Sequence, residues 1–136
     1  MSVINNVVER SGTKMNVAII YLLISVLGGA IGQLALKRGM NSFGELTLSM
    51  DRIGNVLVRM ATNPYVVVGM MVYAASTVFW LAALSRVDLS FAYPFASLSY
   101  VVMLVGAWQL FDENISILRL VGCVVVVAGV LLISRS

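Results

Sequence analysis

Four long runs without a charged residue divide this chain, at residues 17–36, 65–85, 91–111 and 120–133, and each is bounded by charged or turn-forming residues. The first three match the roughly 20 residues that a helix needs to cross the hydrocarbon of a bilayer. The fourth reaches a similar span from Ile117 once the guanidinium of Arg119 extends to the interface along its own aliphatic stem. The pattern predicts four membrane-spanning helices, at about 17–36, 65–85, 91–111 and 117–133, with both termini on one side.

The link between the first two runs, residues 38–63, is too long for a tight turn. Within it Met50, Ile53, Leu57 and Met60 recur at helical spacing, while Asp51, Arg52, Asn55 and Arg59 take the other faces. This predicts an amphipathic helix lying on the membrane surface over residues 48–60, ended by Asn63-Pro64. The links at 86–90 and 112–116 are so short that successive crossings must be antiparallel neighbours, as in a four-helix bundle. Residues 1–14 are polar and read as a mobile tail outside a membrane domain of residues 15–136. After Lys14, Ala30-Ile31-Gly32 has the look of a signal-peptide cleavage site, but the apolar run continues to Leu36, which favours a retained helix.

Composition removes the alternative of a soluble fold. Of 136 residues 60% are hydrophobic and 11% charged, against about 25% charged in soluble domains, too little to cover so small a globule. The fold class is therefore all-α integral membrane protein. A pI near 9.4 would suggest nucleic acid in a soluble chain, but here the nine Lys and Arg sit at helix ends, where membrane helices ordinarily carry them, and no nucleic acid is expected as a partner. Arg10, Lys14, Arg86 and Arg135 fall on one side, and Lys37, Arg38, Arg52, Arg59 and Arg119 on the other. Four against five is no excess, so the positive-inside rule does not orient the chain. Cys123, the sole cysteine, lies within the fourth run and reads as packing. The apolar runs hold no His, no Cys cluster and no carboxylate pair, so no metal site, cofactor or hydrolytic enzyme is expected.

What the runs do hold is neutral polarity. In the first, Ser25, Gly28, Gly29, Gly32, Gln33 and Leu36 recur at spacings of three and four, giving a packing seam of small residues with one amide placed to line a polar cavity. The second run aligns Tyr73, Ser76, Thr77 and Trp80, and the third aligns Tyr93, Ser97 and Tyr100. Pro94 cannot donate to the carbonyl of Ser90, leaving an acceptor that protein or water must satisfy. These stripes together predict a groove, with Tyr93 and Tyr65 closer to the interface than Tyr73 and Tyr100. In the fourth run Gly122, Val125, Val126, Gly129 and Ile133 form a smooth stripe suited to close helix packing, and Gly122, Val125 and Gly129 are the expected dimer seam.

Gly32-Gln33-Leu34-Ala35-Leu36-Lys37, Ala92-Tyr93-Pro94 followed by Ser97-Leu98, Glu113-Asn114-Ile115-Ser116, and Gly122 with Gly129-Val130 occur in the order seen in the drug/metabolite transporter superfamily, which the chain resembles from about Met15 to Ser134. In size it is similar to the small multidrug resistance branch, and within that branch it most resembles the flippase subunits for 4-amino-4-deoxy-L-arabinose-phosphoundecaprenol. Two departures separate it from proton-coupled drug exporters. Alignment on Gly32 puts Gly29 where those exporters carry a membrane glutamate, and Ala96, Leu98 and Tyr100 stand in place of their helix-three aromatic and glycine positions. A cation exporter needs a buried carboxylate to hold proton or drug, and none is available here.

The resemblance implies a multi-pass inner-membrane flippase for a polyprenyl-phosphate-linked sugar, associated with membrane lipid and with a second copy or a related four-helix subunit. A small multidrug or metabolite exporter and a non-transporting scaffold of a glycosylation system are the alternatives. The substrate-binding residues expected are Gln33, Lys37, Arg38, Tyr73, Trp80, Tyr93, Ser97, Tyr100, Glu113 and Arg119, with Pro94 as a helix kink. Lys37, Arg38 and Arg119 would meet the phosphate, unless they serve only as helix-end anchors. Glu113 would pair one of them or remain a solvated loop charge.

Overall fold

The computed structural model describes residues 2–45 and 52–135. Its elements, in chain order, are α1 (Ser2–Asn41), α2 (Ile53–Thr62), α3 (Pro64–Leu84), α4 (Leu89–Ala96), α5 (Ser99–Phe111) and α6 (Ile117–Ser134). Three segments are long and apolar enough to cross a membrane, Gly12–Asn41, Pro64–Leu84 and Leu89–Phe111, and Ile117–Ile133 is a shorter apolar helix. Large apolar side chains face outward on all three and on the shorter helix: Ile31 is 56% exposed, Met71 67%, Val105 47% and Leu118 81%. Water would not tolerate so continuous an apolar surface, but lipid requires it. The protein is an all-α membrane protein.

The first helix begins well before the expected tail ends. Residues from Ser2 onward continue into the first crossing as one helix of 40 residues; no proline interrupts residues 2–14, and the helix runs through Ser11-Gly12-Thr13. The surface helix starts at Ile53 and runs to Thr62, and residues 46–51, which include the expected start, lie outside the described residues. None of the side chains of α2 is buried. Arg59 stacks over Phe43, 5.0 Å from the ring centroid.

Asn63 joins three helices. Its backbone N–H donates to the carbonyls of Arg59 and Met60 at the end of α2, and its side-chain oxygen accepts from the N–H groups of Tyr65 and Val66, capping α3. Pro64 occupies the first turn of α3, where its missing N–H costs nothing. The Asn63 amide nitrogen then donates to Ser42 Oγ at 3.1 Å, tying the junction back to the end of α1.

The tightest pairing is between α1 and α3. On α1, Ala18, Leu22, Ser25, Gly32 and Gly39 are buried, and on α3 Val66, Gly69, Ser76 and Ala83 are. Both sets step by three, four or seven, the 3.5-residue period that keeps two antiparallel helices in register along their length. The crossing formed by α4 and α5 meets α3 at one end only, where Leu22, Ala83 and Ala92 are fully buried among Tyr21, Trp80, Phe91 and Phe95. Gly106 of α5 receives the side chain of Leu34 from α1, while α6 packs against α4.

The third crossing, expected as one helix over residues 91–111, is broken in two at Ser97-Leu98. Across the break the bonds tighten to the three-residue kind: Ser97 N to Pro94 O at 3.2 Å, Leu98 N to Phe95 O at 3.0 Å, Tyr100 N to Ser97 O at 3.0 Å and Val101 N to Leu98 O at 3.1 Å. Two serines contribute to it. Ser97 Oγ donates to the carbonyl of Pro94 and Ser99 Oγ to that of Ala96, competing with the backbone amides for the same acceptors. The disruption thus lies on the C-terminal side of Pro94.

Candidate functional site

Because α3 and the α4–α5 crossing meet at one end only, a cavity of about 260 Å³ opens between them, with α1 on its third side. Ser25, Val26, Gly29, Ala30 and Gln33 line it from α1, Tyr73, Ser76, Thr77 and Trp80 from α3, and Ala96 and Ser99 from either side of the break. Ser25, Val26, Gly29, Ala30 and Ser76 are buried and make its floor, whereas Gln33, Tyr73 and Thr77 are exposed and mark its open side. Gly29 has nothing within 4 Å of where a Cβ would stand, although it is buried. It faces empty space rather than a neighbouring helix.

The lining is neutral and biased toward accepting hydrogen bonds. Ser25 Oγ donates to Leu22 O at 2.8 Å, Ser76 Oγ to Val72 O at 2.7 Å, Thr77 Oγ1 to Tyr73 O at 3.0 Å and Ser99 Oγ to Ala96 O at 2.7 Å. Each hydroxyl has committed its one proton to its own helix and retains lone pairs. A guest with several N–H or O–H donors suits such a wall, and the Gln33 amide, Tyr73 hydroxyl and Trp80 indole N–H add donors of their own. The indole is braced edge-on by Tyr93, with ring centroids 5.8 Å apart and planes at 77°.

The charged residues gather outside this cavity. Lys37, four residues beyond Gln33 on the same helix, is about 6 Å further along the axis and on the same face. Its ammonium pairs with the carboxylate of Glu113 and lies 5.2 Å from the centroid of the Phe111 ring. Glu113 is held there by the end of α5. Asp112 adopts the left-handed conformation, φ 49°, and the N–H of Glu113 donates back to the carbonyl of Ala107 at 3.2 Å. Arg38 points elsewhere and stacks over Tyr65 at 5.6 Å. Arg119 is exposed on the first turn of α6, where its backbone N–H donates to the capping Ser116 Oγ at 3.3 Å.

Of the residues read from the sequence, Gln33, Tyr73 and Trp80 line the cavity and Tyr93 stands behind Trp80. Ser97 and Tyr100 do not line it; Ser97 is occupied at the helix break and Tyr100 is 63% exposed. Their places are taken by Ala96 and Ser99, which the pattern of the third run does not single out. Ala96 carries no polar group for the pattern to pick out, and Ser99 lies beyond the Ser97-Leu98 break, where three-residue bonding shifts the register of the helical period. Lys37 and Glu113 come together, but Arg38 and Arg119 do not join them. Gly122 and Gly129 have nothing within 4 Å of where a Cβ would stand, so the α6 stripe meets no neighbour at its glycines among the described residues.

The profile of the EamA-like transporter family matches residues 56–135, more than half of the chain. The chain belongs to this family. Among similar members, one from Photorhabdus laumondii, named as a probable 4-amino-4-deoxy-L-arabinose-phosphoundecaprenol flippase subunit ArnF, is 36% identical over 120 residues, covering 85% of this chain and 95% of its own. Proteins of the same name from Proteus mirabilis and Shewanella sediminis are each 32% identical, covering 89% and 82% of this chain and 94% and 83% of theirs. A Pseudomonas aeruginosa protein named as the ArnE subunit is 40% identical over 57 residues, 42% of this chain and 50% of its own. No solved structure matches the chain. The family match begins beyond α1, but the ArnF relatives cover too much of the chain to omit a 40-residue helix. Family membership makes this a transporter, in keeping with the open cavity between its helices.

Proposed function

We propose that this chain is one subunit of an inner-membrane flippase for a polyprenyl-phosphate-linked sugar, acting with a second four-helix chain. The observation that carries the reading is a neutral, acceptor-rich cavity one helical turn from a lysine at the interface. At about 260 Å³ it is smaller than the roughly 300–1,000 Å³ of sites for drug-sized molecules. Sugar hydroxyls, or the amino group in the names of the relatives, supply the donors its wall accepts. The lipid phosphate, as an anion, meets Lys37, and charge-assisted bonds there outweigh the neutral contacts inside.

Drug export is the weaker reading, because Gly29 leaves the cavity without a carboxylate. An organic cation there would lack a counter-charge, at a cost of several kcal/mol. The naming of ArnE and ArnF as subunits supports a partner of related build.

The test is translocation in vesicles free of other amines, with the sugar amine detected by a reagent that cannot cross the membrane. Lys37→Ala should slow translocation on the order of ten-fold or more, and Ser97→Ala much less, both variants being folded. Full activity of Lys37→Ala would reduce the lysine to a helix-end anchor. Transport of tetraphenylphosphonium in place of the lipid would overturn the flippase reading.

A further inference from the structure

We propose that Glu113 occupies the phosphate position of the empty transporter, holding the Lys37 ammonium until a lipid-linked phosphate displaces it. This rests on the reading of Lys37 as the phosphate contact. A carboxylate and a phosphodiester are both singly charged oxygen acceptors, so each can satisfy the same ammonium in turn. The carboxylate comes from 76 residues along the chain, and the fold brings it to the mouth-side end of α1.

The pair is accessible and easily parted. The side chain of Lys37 is 45% exposed and that of Glu113 33%, so an anion arriving from the headgroup layer meets them without opening the core. Ion pairs this exposed contribute little stability. Glu113 also lies in the non-helical link of residues 112–116, between left-handed Asp112 and the Ser116 cap of α6. It can swing away without breaking a helical turn, whereas Phe111 remains on α5, its ring beneath the ammonium.

Such an arrangement makes Glu113 a specificity-determining residue. Exchange of one anion for another leaves the charge around Lys37 unchanged, so a bare phosphate gains little by entering. A phosphate whose sugar also reaches the acceptor wall beside Gln33 gains those hydrogen bonds in addition, and displaces Glu113 with a net advantage. The link between α5 and α6 then moves only when a complete head group is present.

Binding of 4-amino-4-deoxy-L-arabinose-phosphoundecaprenol, the sugar-linked phosphodiester in the names of the relatives, to the purified full-length chain, in nanodiscs of uncharged lipid, tests this with the wild type, Glu113→Gln, Lys37→Ala and the double variant. Removal of the internal competitor should tighten binding by Glu113→Gln on the order of two- to five-fold. Lys37→Ala should weaken binding, and adding Glu113→Gln to it should change nothing further. If the wild type binds while Glu113→Gln binds equally or less well, the competitor role is overturned and the flippase reading stands. A purely structural carboxylate would give that result together with a lower melting temperature. Should neither wild type nor Glu113→Gln bind the probe, the flippase reading falls and this inference with it. Glu113→Ser serves as the second variant if the glutamine form does not fold.

Discussion

Gly32 of α1 and Gly69 of α3 face each other so closely that a Cβ on Gly32 would lie 2.9 Å from the Gly69 carbonyl oxygen, and one on Gly69 2.8 Å from that of Gly32. Both obstacles are backbone, which cannot rotate aside. Alanine at either position should push the helices apart and cost about 1–3 kcal/mol, read as a lower melting temperature in detergent. Gly29→Ala, with open space around it, should leave the melting temperature unchanged. Equal loss from all three would mean that the seam is not where stability lies.

Gly29 is also the place to alter the charge of the cavity. Glutamate there would supply the counter-charge that the wild-type wall lacks, so Gly29→Glu should bind tetraphenylphosphonium measurably where the wild type does not. Calorimetry in detergent would show the difference. A folded Gly29→Glu protein with no gain would indicate that the cavity is closed to cations for steric reasons.

Asp112 is the one described non-glycine residue with positive φ. Aspartate visits this region more readily than most residues, and for a β-branched side chain it costs roughly 1–2 kcal/mol or more. Asp112→Val should therefore destabilise the protein by about that amount, while Asp112→Gly should be neutral or mildly stabilising. Denaturation of the two variants side by side checks the sign.

The stripe of Gly122, Val125 and Gly129 makes no close contact at its glycines among the described residues. If it is the seam to a second subunit, Gly122→Leu and Gly129→Leu should spare the fold of the single chain and weaken association at least several-fold. Sedimentation in detergent would separate the two effects, and an unchanged oligomer in both variants would place the seam elsewhere.

The crossings are legible in the sequence because charge is excluded from them, a constraint that the bilayer imposes on every residue alike. Gln33, Tyr73 and Trp80 are legible for the same reason that α1 and α3 are regular: an unbroken helical period places them on one face. Ser99 is not, because the two serine hydroxyls and the proline alter the bonding between Pro94 and Val101, and a period read through that stretch points to Ser97 instead. The partnership of Lys37 with Glu113 can be named from sequence only as one option, since nothing local connects residues so distant along the chain. Gly106 belongs to no stripe that would mark it and is a single opening for Leu34, whereas Gly69 shares the face of Ser76 but has no polar group to draw notice, and it admits the backbone of α1.

The brevity of α6 has a consequence for the surrounding lipid. Its 18 residues span about 27 Å at 1.5 Å per residue, a little short of the roughly 30 Å of an average hydrocarbon core. Lipids beside it must compress, or headgroups must sink, to avoid stranding its polar ends in oil. Mismatch of this kind thins the bilayer locally and shortens the apolar distance that a polar solute has to travel. A transporter can lower the barrier to crossing through the membrane it deforms as well as through the site it offers.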